Sequence, residues 1–141
     1  MGRRYVVFFE PALTNLDAMG NHMATRLENQ ITDFLDAWRP EAAFAKPLQS
    51  DLWQFKWSPR NGSGARAFSG YFAGDEHNIA LVLVTFKKNN EDKFNLQQKA
   101  FNSRAKSLNR TLDSKSPSDI GTWLEDQRNN SDRKVLDETD I

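Results

Sequence analysis

The sequence predicts an α+β domain built on an antiparallel meander, and three features carry that prediction. An opening segment rich in aromatic and β-branched residues is followed by apolar residues at helical spacing. Three extended segments then succeed one another through dense turn sequences, and a second helical pattern follows them. With 141 residues, 38% hydrophobic and 27% charged, the chain can bury one core and carry at most an appendage.

Residues 3–10 (RRYVVFFE) read as a first strand, ended at Glu10 by the restriction that Pro11 imposes. Thr14-x-x-Asp17 resembles a capping box, and Leu16, Met19, Met23, Leu27, Ile31, Phe34 and Trp38 recur at spacings of three and four. One helix face therefore packs on a core, with Gly20-Asn21 as the point where one long helix divides into a short and a longer one. Pro40 closes the segment, and residues 41–50 form a connector. In residues 51–57 (DLWQFKW), Trp53, Phe55 and Trp57 share one face while Gln54 and Lys56 share the other. The turn at residues 59–64 joins this strand to residues 65–73 (ARAFSGYFA) as a hairpin. Residues 79–86 (IALVLVTF) are apolar on both faces, as a central strand covered on both sides requires. Phe94, Phe101, Ala105, Leu108 and Leu112 then line one face of a second helix ending near Leu112.

Formal charge balances at 19 bases and 19 acids, but unevenly. Residues 113–141 hold eight acids and four bases, leaving a body of net +4 and a tail of net −4. Ile120, Trp123 and Leu124 form a short apolar patch in that tail, suited to docking or to one or two helical turns, and nothing beyond Asn129 argues for order. The tail is expected to be a partly disordered acidic extension, and docking through the patch would lay its acids over basic surface.

Several classes of chemistry drop out. With no cysteine there are no disulfides, thiolate metal sites or cysteine nucleophiles, and His22 and His77 are too far apart in sequence to suggest a zinc site or a histidine triad. The longest apolar run, residues 79–84, falls far short of the ~18 residues of a membrane span. Residues 1–4 lead directly into a strand with no signal-peptide pattern, so the expected location is the cytoplasm. What remains is cationic: Lys56 on the first hairpin strand, Arg60 in the turn, Arg66 on the second, and Lys87-Lys88 where the central strand ends. Neighbouring strands lie ~4.8 Å apart, so these side chains can meet and grip phosphates. The same residues at strand ends also serve solubility and edge protection. Lys99, Lys106 and Arg110 share a helix face opposite Phe101 and Leu108 and read as solvated.

The opening RRYVVFFEPAL, the helix after it, the hairpin LWQFKW…ARAFSGYFAG and the exit NIALVLVTFKKN before a terminal helix resemble the RelE/ParE superfamily of bacterial toxins, in its HigB-like, phage-derived branch. The resemblance spans residues 3–112. It implies a RelE-like fold over residues 1–112, comprising an N-terminal strand, a helix or helical hairpin, a three-stranded antiparallel meander and a C-terminal helix, with residues 113–141 as the extension. It further implies the toxin of a type II toxin–antitoxin module, a metal- and cofactor-independent, ribosome-dependent messenger-RNA endonuclease that inhibits translation. Its partners would be a cognate antitoxin, the ribosome and mRNA, with no membrane involved. By position, Arg66, Lys88 and Lys56 carry over as the catalytic group, and Arg60, Lys87 and Phe94 as RNA-binding residues. Phe94 stands where relatives often carry a tyrosine; it can stack on a base but cannot transfer a proton, and it also fits the apolar stripe of the last helix. Tyr71, a substitute for such a tyrosine as general base, alternates onto the face opposite Arg66. Other members of the superfamily inhibit DNA gyrase, and a non-catalytic phage or plasmid protein keeping this fold as a binding module is the third reading.

Overall fold

A computed structural model describes residues 3–37, 45–60, 62 and 64–137. The first strand, β1 (Arg3–Phe8), is followed by α1 (Glu10–Ala18) and α2 (Asn21–Ala37). Pro11 does not simply end the strand: it sits in the first turn of α1, where a missing N–H costs nothing. Glu10 joins it there as an acid at the positive end of the helix, and the expected capping box at Thr14 falls mid-helix. The chain breaks at Gly20, whose φ of 91° is open to glycine at little cost. Leu16, Met19, Leu27 and Ile31 are buried, as the periodicity predicts. Trp38, Pro40 and the side chain of Phe34 lie outside the described residues.

The expected connector contains a short strand, β2 (Ala45–Pro47), paired with β3 (Trp53–Trp57); Pro47 is tolerated because β2 is an edge. β3, β4 (Ala65–Ala73) and β5 (His77–Lys87) form the predicted antiparallel meander, with a bulge between Phe68 and Ser69. β5 then pairs in parallel with β1. The helical stretch after it divides into a 3₁₀ turn (Lys88–Asn90), α3 (Glu91–Asn95) and α4 (Gln98–Asp113).

Residues beyond 113 differ most from expectation. Ser116 caps α5 (Pro117–Arg128) by accepting from the Asp119 N–H at 3.2 Å, and Pro117 occupies the first turn. β6 (Lys134–Asp137) follows and pairs antiparallel with β1. Ile120, Leu124 and Val135 are buried in the same core as Leu112. The extension is thus, through Asp137, a helix and an edge strand of the body. Among its described acids, Asp137 pairs with Arg3 and Arg128, and Glu125 with Arg128, rather than with the lysines and arginines of the predicted site.

The result is an α+β fold with a six-stranded mixed sheet, ordered β2-β3-β4-β5-β1-β6, and five α-helices among the described residues. One core lies between the sheet and α1–α2, holding Phe8, Phe55, Ala67 and Val82. The other lies between the sheet and α4–α5, holding Phe9, Phe68, Leu81 and Phe86. Gly70 allows α4 this close, since a Cβ there would stand 3.0 Å from that of Ala105. No helix among the described residues is long and apolar enough to cross a membrane.

Candidate functional site

β1 and β5 are neighbours and parallel, yet the chain leaves them on opposite faces, from β1 into α1 and from β5 into the 3₁₀ turn, α3 and α4. Such a divergence opens a crevice beyond the carboxyl ends of the strands. A pocket of about 300 Å³ occupies it, lined by Asn15 from α1, Met19 just after it, Phe86 and Lys87 from β5, and Lys93 and Phe94 from α3. Asn15 donates to the Thr85 carbonyl at 2.9 Å and Thr85 Oγ1 donates to the Ala12 carbonyl at 2.6 Å, which pins α1 against β5.

Phe94 lies flat on Phe86, with ring centroids 4.4 Å apart and planes 14° from parallel. It is half-buried, so packing one face on Phe86 is compatible with lining the pocket, and Lys93 Nζ stands 5.6 Å from its ring centre. Lys88 is exposed, and its N–H donates to the Gly64 carbonyl at 2.9 Å, tying the strand exit to the start of β4. Only glycine fits at that junction: a Cβ on Gly64 would lie 1.9 Å from the Trp57 carbonyl oxygen.

Arg66 is not where an exposed strand-end residue would be. It is 5% exposed, and its Nη1 donates to the carbonyls of Trp57 at 3.2 Å and Ala65 at 2.9 Å. Its Nε stands 3.8 Å from Glu91 Oε1, which also accepts from Gln54 Nε2 at 3.3 Å. β4 is an inner strand, and α3 brings Glu91 over this face, so the guanidinium is turned inward. Lys56 is the register partner of Arg66 on β3 and remains half-buried. Arg60 is exposed in the turn beyond β3. Tyr71 packs on the α1–α2 core, away from this face.

The fold therefore gathers Lys87 and Phe94 into one pocket, with Lys88 next in the chain, and sets Lys56 beside Arg66, which is itself the register partner of the pocket residue Phe86 on neighbouring β5. Lys56, Lys87, Lys88 and Lys93 have no ion pair among the described residues. Glu91, Lys93, Asn15 and Asn90 escaped the sequence reading. An acid opening a helix reads as a complement to the helix dipole, and only the placement of α3 reveals Glu91 as the carboxylate partner of Arg66. His77 begins β5 with its ring 5.7 Å from that of Tyr5; its Nδ1 is buried without a hydrogen bond, and burial lowers its pKa. His22 is exposed and meets Trp57 edge-on at 5.7 Å.

Comparison with models of known protein families, with curated proteins and with solved structures finds no match to this chain.

Proposed function

We propose that the protein is a HigB-like toxin of the RelE/ParE superfamily that binds messenger RNA at the carboxyl end of β1 and β5 and cleaves it on the ribosome. The observation that carries this reading is a pocket in which Lys87 and Lys93, without carboxylate partners among the described residues, flank the Phe86–Phe94 stack, with Glu91 on the same short helix as Lys93 and Phe94 and paired to Arg66. A single-stranded RNA needs that combination: cations along the phosphates and a ring face for a base. The succession β1, α1–α2, β3–β5 and α4 supports the same reading, with β2, α3, α5 and β6 as additions to it.

In this reaction the RNA supplies its own nucleophile. The 2′-oxygen forms a bond to the adjacent phosphorus, the bond to the 5′-oxygen breaks, and the products are a 2′,3′-cyclic phosphate and a 5′-hydroxyl. Glu91 takes the 2′-hydroxyl proton, a lysine ammonium returns one to the leaving oxygen, and Lys87, Lys88 and Lys93 offset the charge that grows on the phosphoryl group. Phe94 stacks on a base. Arg66 is a positioning residue here, because its donors hold main chain and Glu91 rather than substrate. A cognate antitoxin would cover the same end of the sheet.

Induced expression in a bacterium tests the proposal. Growth arrest with mapped cleavages confined to translated messages is expected. Arrest with DNA damage and intact RNA would replace this reading with gyrase inhibition. The inward commitment of Arg66 favours a second reading, a nucleic-acid-binding module without cleavage, for which the expected result is tight RNA binding by a harmless, well-folded protein free of antitoxin.

A further inference from the structure

Arg104 of α4 and Arg133, immediately before β6, converge on one side chain. Their Cζ atoms lie 5.2 and 4.8 Å from the ring centre of Phe9, which is 1% exposed. Trp123 of α5 meets the same ring at 6.4 Å. Attraction to a ring explains one guanidinium, but two at one locus repel each other, and a fold ordinarily sets a carboxylate between them. None is present: neither arginine has an ion pair among the described residues. Arg133 donates through Nη1 to Gln127 Oε1, a neutral, buried acceptor that fixes the guanidinium without discharging it. Arg104 makes no hydrogen bond among the described residues, so its forked donors remain available. Burial, and then the charge of Arg133, pull the pKa of Arg104 below its ordinary value.

We infer that Arg104 and Arg133 form an anion site that takes a phosphate group. Guanidinium donors match phosphate oxygens in pairs, and one phosphate anion between them turns a repulsion into two attractions. The site is separate from the lysine pocket but lies at the same end of the sheet. Phe9 follows directly on Phe8, which is paired with Val82 of β5 and Lys134 of β6. The phosphate is therefore either free in solution or part of an RNA strand running across that end; only this choice of source rests on the function proposed above.

The test is a titration of the full chain with inorganic phosphate at constant ionic strength, following the arginine Nε–Hε resonances. Arg104 and Arg133 are expected to move together along one saturable curve, while exposed Arg110 stays with the bulk salt response. Arg104→Met should weaken the phosphate response of Arg133 about tenfold or more, and Arg104→Lys, which keeps charge and stem, less. Shifts of Arg104 and Arg133 no larger than that of Arg110, or a strictly linear response, would overturn the site from the wild-type protein alone, whatever the variants do. A short single-stranded RNA without terminal phosphates identifies the source. Displacement of inorganic phosphate from the pair assigns a phosphodiester, and saturable phosphate binding that RNA leaves untouched assigns a free phosphate. Either result stands apart from growth arrest and RNA cleavage, so failure of the anion site and failure of the proposed function remain distinguishable.

Discussion

Arg66 and Glu91 form an ion pair between β4 and α3, Nε to Oε1 at 3.8 Å, in which the arginine side chain is 7% exposed and the glutamate 29%. The asymmetry assigns different consequences to the two partners. Arg66→Met strands two main-chain carbonyls and a partly buried carboxylate, and is expected to cost about 2–3 kcal/mol of stability. Glu91→Gln keeps an acceptor for Gln54 and should shift the urea midpoint far less, while lowering RNA cleavage at least ~100-fold. Urea melts of both variants with cleavage assays at equal folded fraction check this. Full activity in Glu91→Gln would remove Glu91 from the chemistry.

Gly64 and Gly121 make an opposed pair. Alanine at Gly64 would drive Cβ to 1.9 Å from the Trp57 carbonyl oxygen, which is main chain and cannot swing aside. A loss of more than about 2 kcal/mol is expected, with weaker RNA binding because Lys88 hangs from the Gly64 carbonyl. At Gly121, inside α5, a Cβ meets nothing within 4 Å. Gly121→Ala should stabilise by roughly 0.5–1 kcal/mol. Thermal melts of the two variants are expected to move in opposite directions.

Alternation made much of this fold legible and left the rest hidden. β5 was readable because residues apolar on both faces need cover on both sides, and the α1–α2 break was readable at Gly20. Alternation also assigns Arg66 and Tyr71 to opposite faces. It says nothing about whether a later helix will roof that face, which is why Arg66 reads as exposed until α3 is in place. β2 and β6 are three and four residues long. Their order comes from pairing with distant strands rather than from their own composition, and β6 acquires it by meeting β1 across almost the whole chain. Lys87 and Lys88 were individually visible, whereas Lys93 was not. The carboxylate paired with Arg66 was not visible either, nor were the two arginines on Phe9, because these depend on how distant elements are placed.

Removal of residues 114–141 should unfold the protein rather than release a more active body. Ile120, Leu124 and Val135 are 5%, 4% and 8% exposed. Burying each such side chain stabilises by about 1.5–3 kcal/mol, which together approaches the ~5–15 kcal/mol margin of a typical domain. The cut also strips β1 of its antiparallel neighbour and exposes an apolar edge. Circular dichroism and solubility of the truncated chain measure the outcome. A soluble, cooperatively melting truncation would contradict this, and Leu124→Asp in the full chain gives a milder form of the same test.

His77 gives stability a pH dependence of definite sign. Burial lowers its folded-state pKa below 6.5, outweighing the opposing pull of Glu76. Between the lowered value and 6.5 the unfolded chain binds more protons, so stability rises with pH across that window. It is fully present above the unfolded value and falls as pH drops toward the folded one. His77→Gln is expected to flatten that part of the stability profile, measured by urea midpoints from mildly acidic to neutral pH. An unchanged slope would assign the dependence to other groups.

Binding to single-stranded RNA should separate the charges of the pocket from its ring. Lys87, Lys88 and Lys93 have no carboxylate partner among the described residues, so each is available to displace a counterion from a phosphate. For single strands the slope of log K against log salt is roughly −0.7 per neutralised phosphate, and replacing all three lysines with alanine should flatten it by about 2. Their exposure means the urea midpoint should barely move. Phe94→Leu keeps apolar packing on Phe86 but removes the stackable face, and should cost about 1–3 kcal/mol of binding with no change in slope. Fluorescence anisotropy of a labelled oligonucleotide across a salt series resolves the two effects. A lysine variant that weakens binding equally at every salt concentration would mean these side chains shape the pocket without touching phosphate, and the RNA would then have to run elsewhere on the protein.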